Sequence, residues 1–302
     1  MPEPMFKTLF LAALSVIVVL YIVGWFLIAR KNQQTGRGQQ GPAKPTLFQA
    51  FIGFFANFLD TLGIGSFATT TSIYKLSRMV PDEQVPGTLN VGHALPTITE
   101  AFIYITMVQV GIPTLLIMIA ASVLGAWIGA GIVARLPRRT IQISMGLALL
   151  VAAGVMLMAQ FSLFPIGGSS LELEGLKLWA GALGNFALGA LMTIGIGLYA
   201  PCMVLVYLLG MQPLAAFPIM MGSCAFLMPV GSLQFIRNNR YSLRAALGLT
   251  LGGIPGVLLA AYLVKSLPLE YIRWLVVLVV VYTATRMLQS ARAERAAAQA
   301  AV

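Results

Sequence analysis

The chain has 302 residues, 59% of them hydrophobic and only 9% charged, with a mean hydropathy of +0.88. No water-soluble domain has that balance, so the sequence reads as one polytopic membrane unit whose short polar stretches leave no room for a separate globular domain. The net charge of +10 would suggest nucleic acid in a soluble protein, but here the basic residues flank apolar segments. They report membrane topology, and no nucleic-acid partner is expected.

The apolar run from Phe6 to Ala29 is long enough to span a bilayer. It is too long for a signal peptide core, no small-x-small cleavage site follows, and Arg30 and Lys31 come after it, so it reads as an extra, uncleaved first helix. Asn32 to Lys44 reads as a flexible cytoplasmic loop, closing a first unit over 1–45. A first repeat is expected over 46–160, with a broken segment at 47–76 and helices near 87–109, 112–135 and 140–160. An extracytoplasmic loop over 161–176 carries Glu172 and Glu174. A second repeat over 177–289 has a broken segment at 177–209 and helices near 213–235, 243–264 and 269–289. The Ala-rich tail, 290–302, reads as a fraying cytoplasmic helix end.

The repeats are read from matched motifs. Thr61-Leu62-Gly63-Ile64-Gly65-Ser66 returns 132 residues later as Thr193-Ile194-Gly195-Ile196-Gly197-Leu198. Leu136-Pro137 with Ile141 and Met156-Leu157 returns after 131 residues as Leu267-Pro268 with Ile272 and Met287-Leu288, and Gly125 stands opposite Gly256. Paired glycines inside a membrane-length apolar run disfavour continuous helix and permit the backbone angles that break it. Broken helices in corresponding positions of two halves are the best sequence pointer to a transporter's binding site.

Charge selects the topology. If both broken segments crossed the membrane, the 19 Lys and Arg would divide 11 to 8; if both are re-entrant hairpins, they divide 15 to 4. The second division obeys the positive-inside rule. The expected fold is therefore an all-α polytopic membrane protein with seven full crossings and two re-entrant broken hairpins. Three crossings per repeat place the second repeat upside down, giving inverted repeats, an outside N-terminus and a cytoplasmic C-terminus.

At each hairpin tip the half-helix after the glycines directs free N–H groups and a positive dipole end at a shared cavity, which favours anions. The first tip offers Thr61, Gly63, Gly65, Ser66, Thr69 and Thr70, with Asn57 beside it. The second offers Thr193, Gly195, Gly197, Tyr199 and Cys202, with Asn185 beside it. These are the candidate substrate-binding residues; the plain alternative is that Gly, Ser and Thr merely permit close helix packing. Asp60 and Glu100 are acids at membrane depth, and with His93 they are the candidate proton-coupling groups. The competing roles are a cap on the tip for Asp60, an interhelical hydrogen bond for Glu100 and a satisfied core histidine for His93. Cys202 and Cys224 lie in apolar segments and read as buried thiols, not as a disulfide or metal site. The cytoplasmic arginines Arg135, Arg138, Arg139, Arg237, Arg240 and Arg244 fix topology and touch lipid headgroups.

In these residues the chain resembles the sulfite exporter TauE/SafE family of anion permeases. The Gly-Ile-Gly tips carry the resemblance, with Pro201 followed by Leu208-Leu209-Gly210-Met211-Gln212-Pro213, Gly87-Thr88 after the first hairpin, and the four-segment duplication over roughly 46–289. The resemblance implies movement of a small anion such as sulfite, a sulfonate or a related organic acid, by ion-coupled secondary transport across the bacterial inner membrane. The expected partners are that anion, membrane lipid, a coupling proton or sodium ion and a second copy in a homodimer, and no cofactor is expected. A passive anion channel and a membrane assembly or scaffold protein are the alternatives. An enzyme is disfavoured by the single histidine and the absence of HExxH, and ATP use by the absence of a Walker lysine motif.

Overall fold

The computed structural model describes residues 3–36, 44–62, 65–104, 110–163, 168–212, 215–263 and 270–300. Among them the chain is helical, with no strand beyond an isolated bridge between Ser170 and Met211. The helices are α1 (Glu3–Gln34), α2 (Leu47–Thr61), α3 (Ser66–Ser77), α4 (Val85–Tyr104), α5 (Ile112–Val133), α6 (Arg138–Gln160), α7 (Gly175–Met192), α8 (Tyr199–Leu208), α9 (Ala216–Arg237), α10 (Leu243–Leu263) and α11 (Glu270–Ala300). Five described segments, in α1, α5, α6, α9 and α10, are long and apolar enough to cross a membrane. α1 runs past Ala29 to Gln34, and α11 continues through most of the Ala-rich tail, because alanine is the best helix former. Leu267 and Pro268 lie outside the described residues.

Local chemistry sets the ends. Thr46 and Gln49 form a reciprocal capping box at the start of α2. α3 ends on Arg78 in the left-handed region, and α6 begins straight after Pro137. The breaks fall at Gly65 (φ +90°) and Gly195 (φ +114°), angles an L side chain rarely adopts.

Three helices run parallel from one end of the bundle. Gln49, Ala50 and Phe54 of α2 abut Gly248, Gly252 and Gly256 of α10 in register. Gly87 of α4 abuts the Arg240 carbonyl, Thr250 donates to the Gly92 carbonyl (2.9 Å), and Gly253 meets Pro96. α2 and α4 therefore start at the same end, where Arg244 donates to the Lys44 carbonyl (3.0 Å). The intervening α3 brings the chain back to that end.

At the opposite end the arrangement recurs. α5, α7 and α9 run parallel, with Met118, Gly125 and Gly129 of α5 abutting Gly181, Phe186 and Ala190 of α7, and Asn185 of α7 bonded to Ser223 of α9. α8 returns the chain to this end, where Gly168 and Gln212 bond to the Met211 and Ser170 carbonyls. The packing pairs match accordingly: α2 on α10 as α7 on α5, and α4 on α10 as α9 on α5, with α4 on α9 at the centre and α6 on α11 at the side. One match fails. α3 packs along α11, whereas α8 makes no comparable contact with α6.

α4 and α9 are the most enclosed helices, and α4 carries the buried polar row Thr88, Asn90, His93, Thr97 and Glu100. The outer surface instead shows large apolar side chains, among them Leu20, Phe26, Trp179 and Leu183. Such a surface suits lipid and not water.

Candidate functional site

The site begins where α2 stops. Asp60, in the last turn of α2, turns its carboxylate onto the start of α3: Oδ1 accepts the Ser66 N–H (2.9 Å) and Oδ2 accepts the Ser66 hydroxyl (2.7 Å). A helix start leaves N–H groups unsatisfied and carries positive partial charge, so an acid there is stabilising. Thr69 donates back to the Gly65 carbonyl (3.0 Å). Gly63, another candidate at this tip, lies outside the described residues.

Behind the first break stands a closed polar chain. His93 Nδ1 faces Asn57 Oδ1 (2.9 Å) and Nε2 faces the Thr70 hydroxyl (3.1 Å), while Asn57 Nδ2 donates to the Gly53 carbonyl (2.7 Å). With the amide so oriented, Nδ1 carries the proton and Nε2 accepts from Thr70. His93 is fully buried with both ring nitrogens engaged.

Glu100, also fully buried, links the two breaks. Its Oε1 accepts from Thr61 at the first break (2.8 Å) and its Oε2 from Tyr199 at the second (2.7 Å). The single Thr61 hydroxyl proton is shared with the Asn57 carbonyl, also at 2.8 Å. Tyr199 is the first residue of α8, whose start has no side-chain cap. Thr193 donates to the Ala190 carbonyl (2.6 Å), and Asn185 donates to the Met118 carbonyl (2.7 Å) and Ser223 (2.9 Å), its Oδ1 left without a partner among the described residues.

Between the breaks lies a cavity of about 320 Å³. Asp60, Gly65, Ser66 and Phe67 line it from the first break, and Ile196, Gly197, Leu198, Tyr199 and Pro201 from the second. Thr97 of α4 and Val151, Val155 and Met156 of α6 complete the wall, with sulfur from Met192, Met203, Met220 and Cys224. The cavity occupies the gap that the missing α6–α8 contact leaves. Few polar groups on a mostly apolar wall make a ligand-sized pocket that fixes orientation at two points.

Of the residues read from sequence, Asp60, Gly65, Ser66, Gly197 and Tyr199 reach the cavity wall. Asn57, Thr61, Thr69, Thr70, His93 and Glu100 stand behind the first break, and Asn185, Thr193 and Gly195 behind the second. Cys202 is fully buried in α8 outside the wall, which Cys224 lines instead. The α6 wall and the methionines are the residues sequence reasoning missed. They sit in unremarkable apolar runs, and no spacing marks them.

Residues 1–156 and 178–301 match the family model described as sulfite exporter TauE/SafE. No curated protein and no solved structure matches the chain.

Proposed function

The chain belongs to the sulfite exporter TauE/SafE family of membrane permeases, and from that premise we propose that it is a secondary transporter for a small anion: sulfite, a sulfonate or a related organic acid. The observation that carries the reading is the cavity on which both helix breaks converge. Non-helical backbone at membrane depth is tolerated where it lines such a space, and broken helices meeting at one site is a recurrent transporter plan.

In this reading each broken pair, α2–α3 and α7–α8, is a re-entrant hairpin, and the other seven helices cross the membrane. The halves 46–160 and 177–289 are inverted repeats, which the matched packing pairs support. The basic end, with Lys44, Lys75, Arg138 and Arg244, is cytoplasmic by the positive-inside rule, leaving the N-terminus outside and the C-terminus inside a bacterial inner membrane. Alternating access moves the two hairpins around the cavity, and a homodimer is the expected assembly.

The two tips have different roles. The start of α8 carries no side-chain cap, so its N–H groups are open to an anion, while the Tyr199 hydroxyl is already donated to Glu100. The start of α3 already holds an anion, the Asp60 carboxylate. A substrate anion entering the cavity meets that carboxylate at close range, and proton uptake by Asp60 removes the repulsion. This couples anion binding to a proton, with Glu100 holding both tips in register; sodium at the same carboxylates is the alternative coupling ion.

Flux of labelled sulfite, small sulfonates and carboxylates into proteoliposomes, with and without a pH gradient, tests the proposal. Saturable flux that responds to the gradient is expected. Non-saturating flux indifferent to the gradient would make the protein a passive channel, and no flux of any anion would leave a scaffold role.

A further inference from the structure

Away from the cavity, at the basic end of the bundle, a shallow open groove of about 510 Å³ lies along α5 and is edged by Gln234 of α9. Trp127, Ile128 and Ile132 of α5 form apolar walls, and Arg135 and Gln234 add polar groups. Arg237, in the last turn of α9, places its guanidinium 5.6 Å from the centre of the Trp127 ring. Among the described residues neither Arg135 nor Arg237 has an acidic partner; the ion pairs at this end gather on Lys75 and Arg138 instead.

We propose that this groove binds an anionic phospholipid of the phosphatidylglycerol type. α5 runs toward the basic end, so Trp127, Ile128 and Ile132 lie on the bilayer side and Arg135 lies outermost. Ile128 and Ile132 are one helical turn apart and offer a track for an acyl chain. Trp127, one residue deeper than Ile128, extends this apolar track and takes the Arg237 guanidinium on its ring. Arg135 and Arg237 supply planar forks that pair bidentately with a phosphodiester. Basic pockets between membrane helices on the cytoplasmic side recognise anionic headgroups for this reason.

The occupant is lipid and not a second copy of the chain. A twofold interface places the same patch on both sides, so Arg135 and Arg237 would meet their own like charges with no acid among them. The proposal rests on the membrane setting of the fold and stands whether or not the cavity carries sulfite.

The test uses the full-length protein in phosphatidylcholine nanodiscs supplied with brominated phosphatidylglycerol or brominated phosphatidylcholine. The fluorescence component lost in Trp127→Phe isolates the probe. Brominated phosphatidylglycerol should quench it at roughly thirtyfold lower mole fraction than brominated phosphatidylcholine, the factor that two arginines at about 1 kcal/mol each amount to. Arg135→Gln with Arg237→Gln should bring the two lipids close to parity, and Arg135→Lys with Arg237→Lys should restore part of the preference. Equal quenching by both lipids in the wild type would overturn the proposal, as would a preference that survives the double Gln variant. Displacement of the lipid by millimolar inorganic phosphate would reassign the groove to a free anion. Shielding of Trp127 from both lipids in a dimeric fraction would reassign it to a second copy.

Discussion

Tyr199, at the start of α8, and Glu100, near the end of α4, meet at 2.7 Å, phenol hydroxyl on carboxyl oxygen, across 99 residues of chain. The other carboxylate oxygen is held at 2.8 Å by Thr61 at the opposite break. One buried acid thus touches both interruptions, and any movement of one tip relative to the other must lengthen at least one of these bonds.

Removing the phenol hydroxyl should therefore weaken the whole centre. A buried hydrogen bond contributes about 0.5–1.5 kcal/mol net, and Tyr199→Phe should lower thermal stability in detergent by that order and reduce anion flux. Glu100→Gln changes the acceptor side of the same pair. If the two residues act through this bond, the double variant is clearly less destabilised than the sum of the singles. Additive losses would mean that each acts through other contacts.

Asp60 has two separable duties, capping α3 and carrying charge into the cavity. The amide oxygen of Asn can still accept the Ser66 N–H, whereas Ala removes both bonds and leaves buried donors unpaired at about 1–3 kcal/mol. Asp60→Asn should consequently keep stability close to wild type while losing the response of flux to a pH gradient, and Asp60→Ala should lose both. An Asn variant with an unchanged gradient response would reduce Asp60 to a structural cap.

The close helix contacts supply a stability prediction that needs no substrate. A methyl on Gly125 would collide with the Phe186 carbonyl, and one on Gly256 with the Phe54 carbonyl, while one on Gly154 meets nothing within 4 Å. Gly125→Ala and Gly256→Ala should each cost about 1–3 kcal/mol from overpacking or fail to accumulate in the membrane. Gly154→Ala should be neutral or gain up to about 1 kcal/mol, because alanine is the better helix former. Equal behaviour of all three in thermal unfolding would contradict the α5–α7 and α2–α10 packing.

Those same glycines show what the sequence made legible. Gly125 and Gly256 are related by the 131-residue spacing and occupy matching places, against α7 and α2. The breaks are visible because paired glycines contradict the helix around them, and the first helix is visible from its length and apolar composition. The cavity wall is not. Val151, Val155 and Met156 are ordinary residues of an apolar helix, and they line the site only because α8 stands away from α6. Nor did any local pattern join Glu100 to Tyr199, since a bond between distant segments leaves no spacing signature. The Ala-rich tail reads as a fraying helix end in sequence, yet α11 runs to Ala300, and ion pairing of Glu294 with Arg138 (3.0 Å) ties that segment to α6.

That tie belongs to a wider network, which holds one hairpin and not the other. Lys75, near the end of α3, pairs with Asp82 at 2.6 Å, both side chains largely buried, and Gln142 of α6 donates to the same carboxylate at 2.8 Å. Arg138 adds Glu83 and Glu294. At the corresponding place in the second half, 132 residues after Lys75, stands Tyr207, which cannot make such a pair. This accounts physically for the packing difference: α3 is tethered at the basic end and lies along α11, while α8 is free of α6. Removing one member of a buried ion pair leaves an uncompensated charge and costs about 3–5 kcal/mol. Asp82→Asn should therefore lower thermal stability and speed hydrogen exchange in α3, leaving α8 exchange near its wild-type rate. The swapped pair, Lys75→Asp with Asp82→Lys, should recover part of the α3 protection. If exchange in α3 and α8 rises equally in Asp82→Asn, the network supports the whole bundle and not one hairpin.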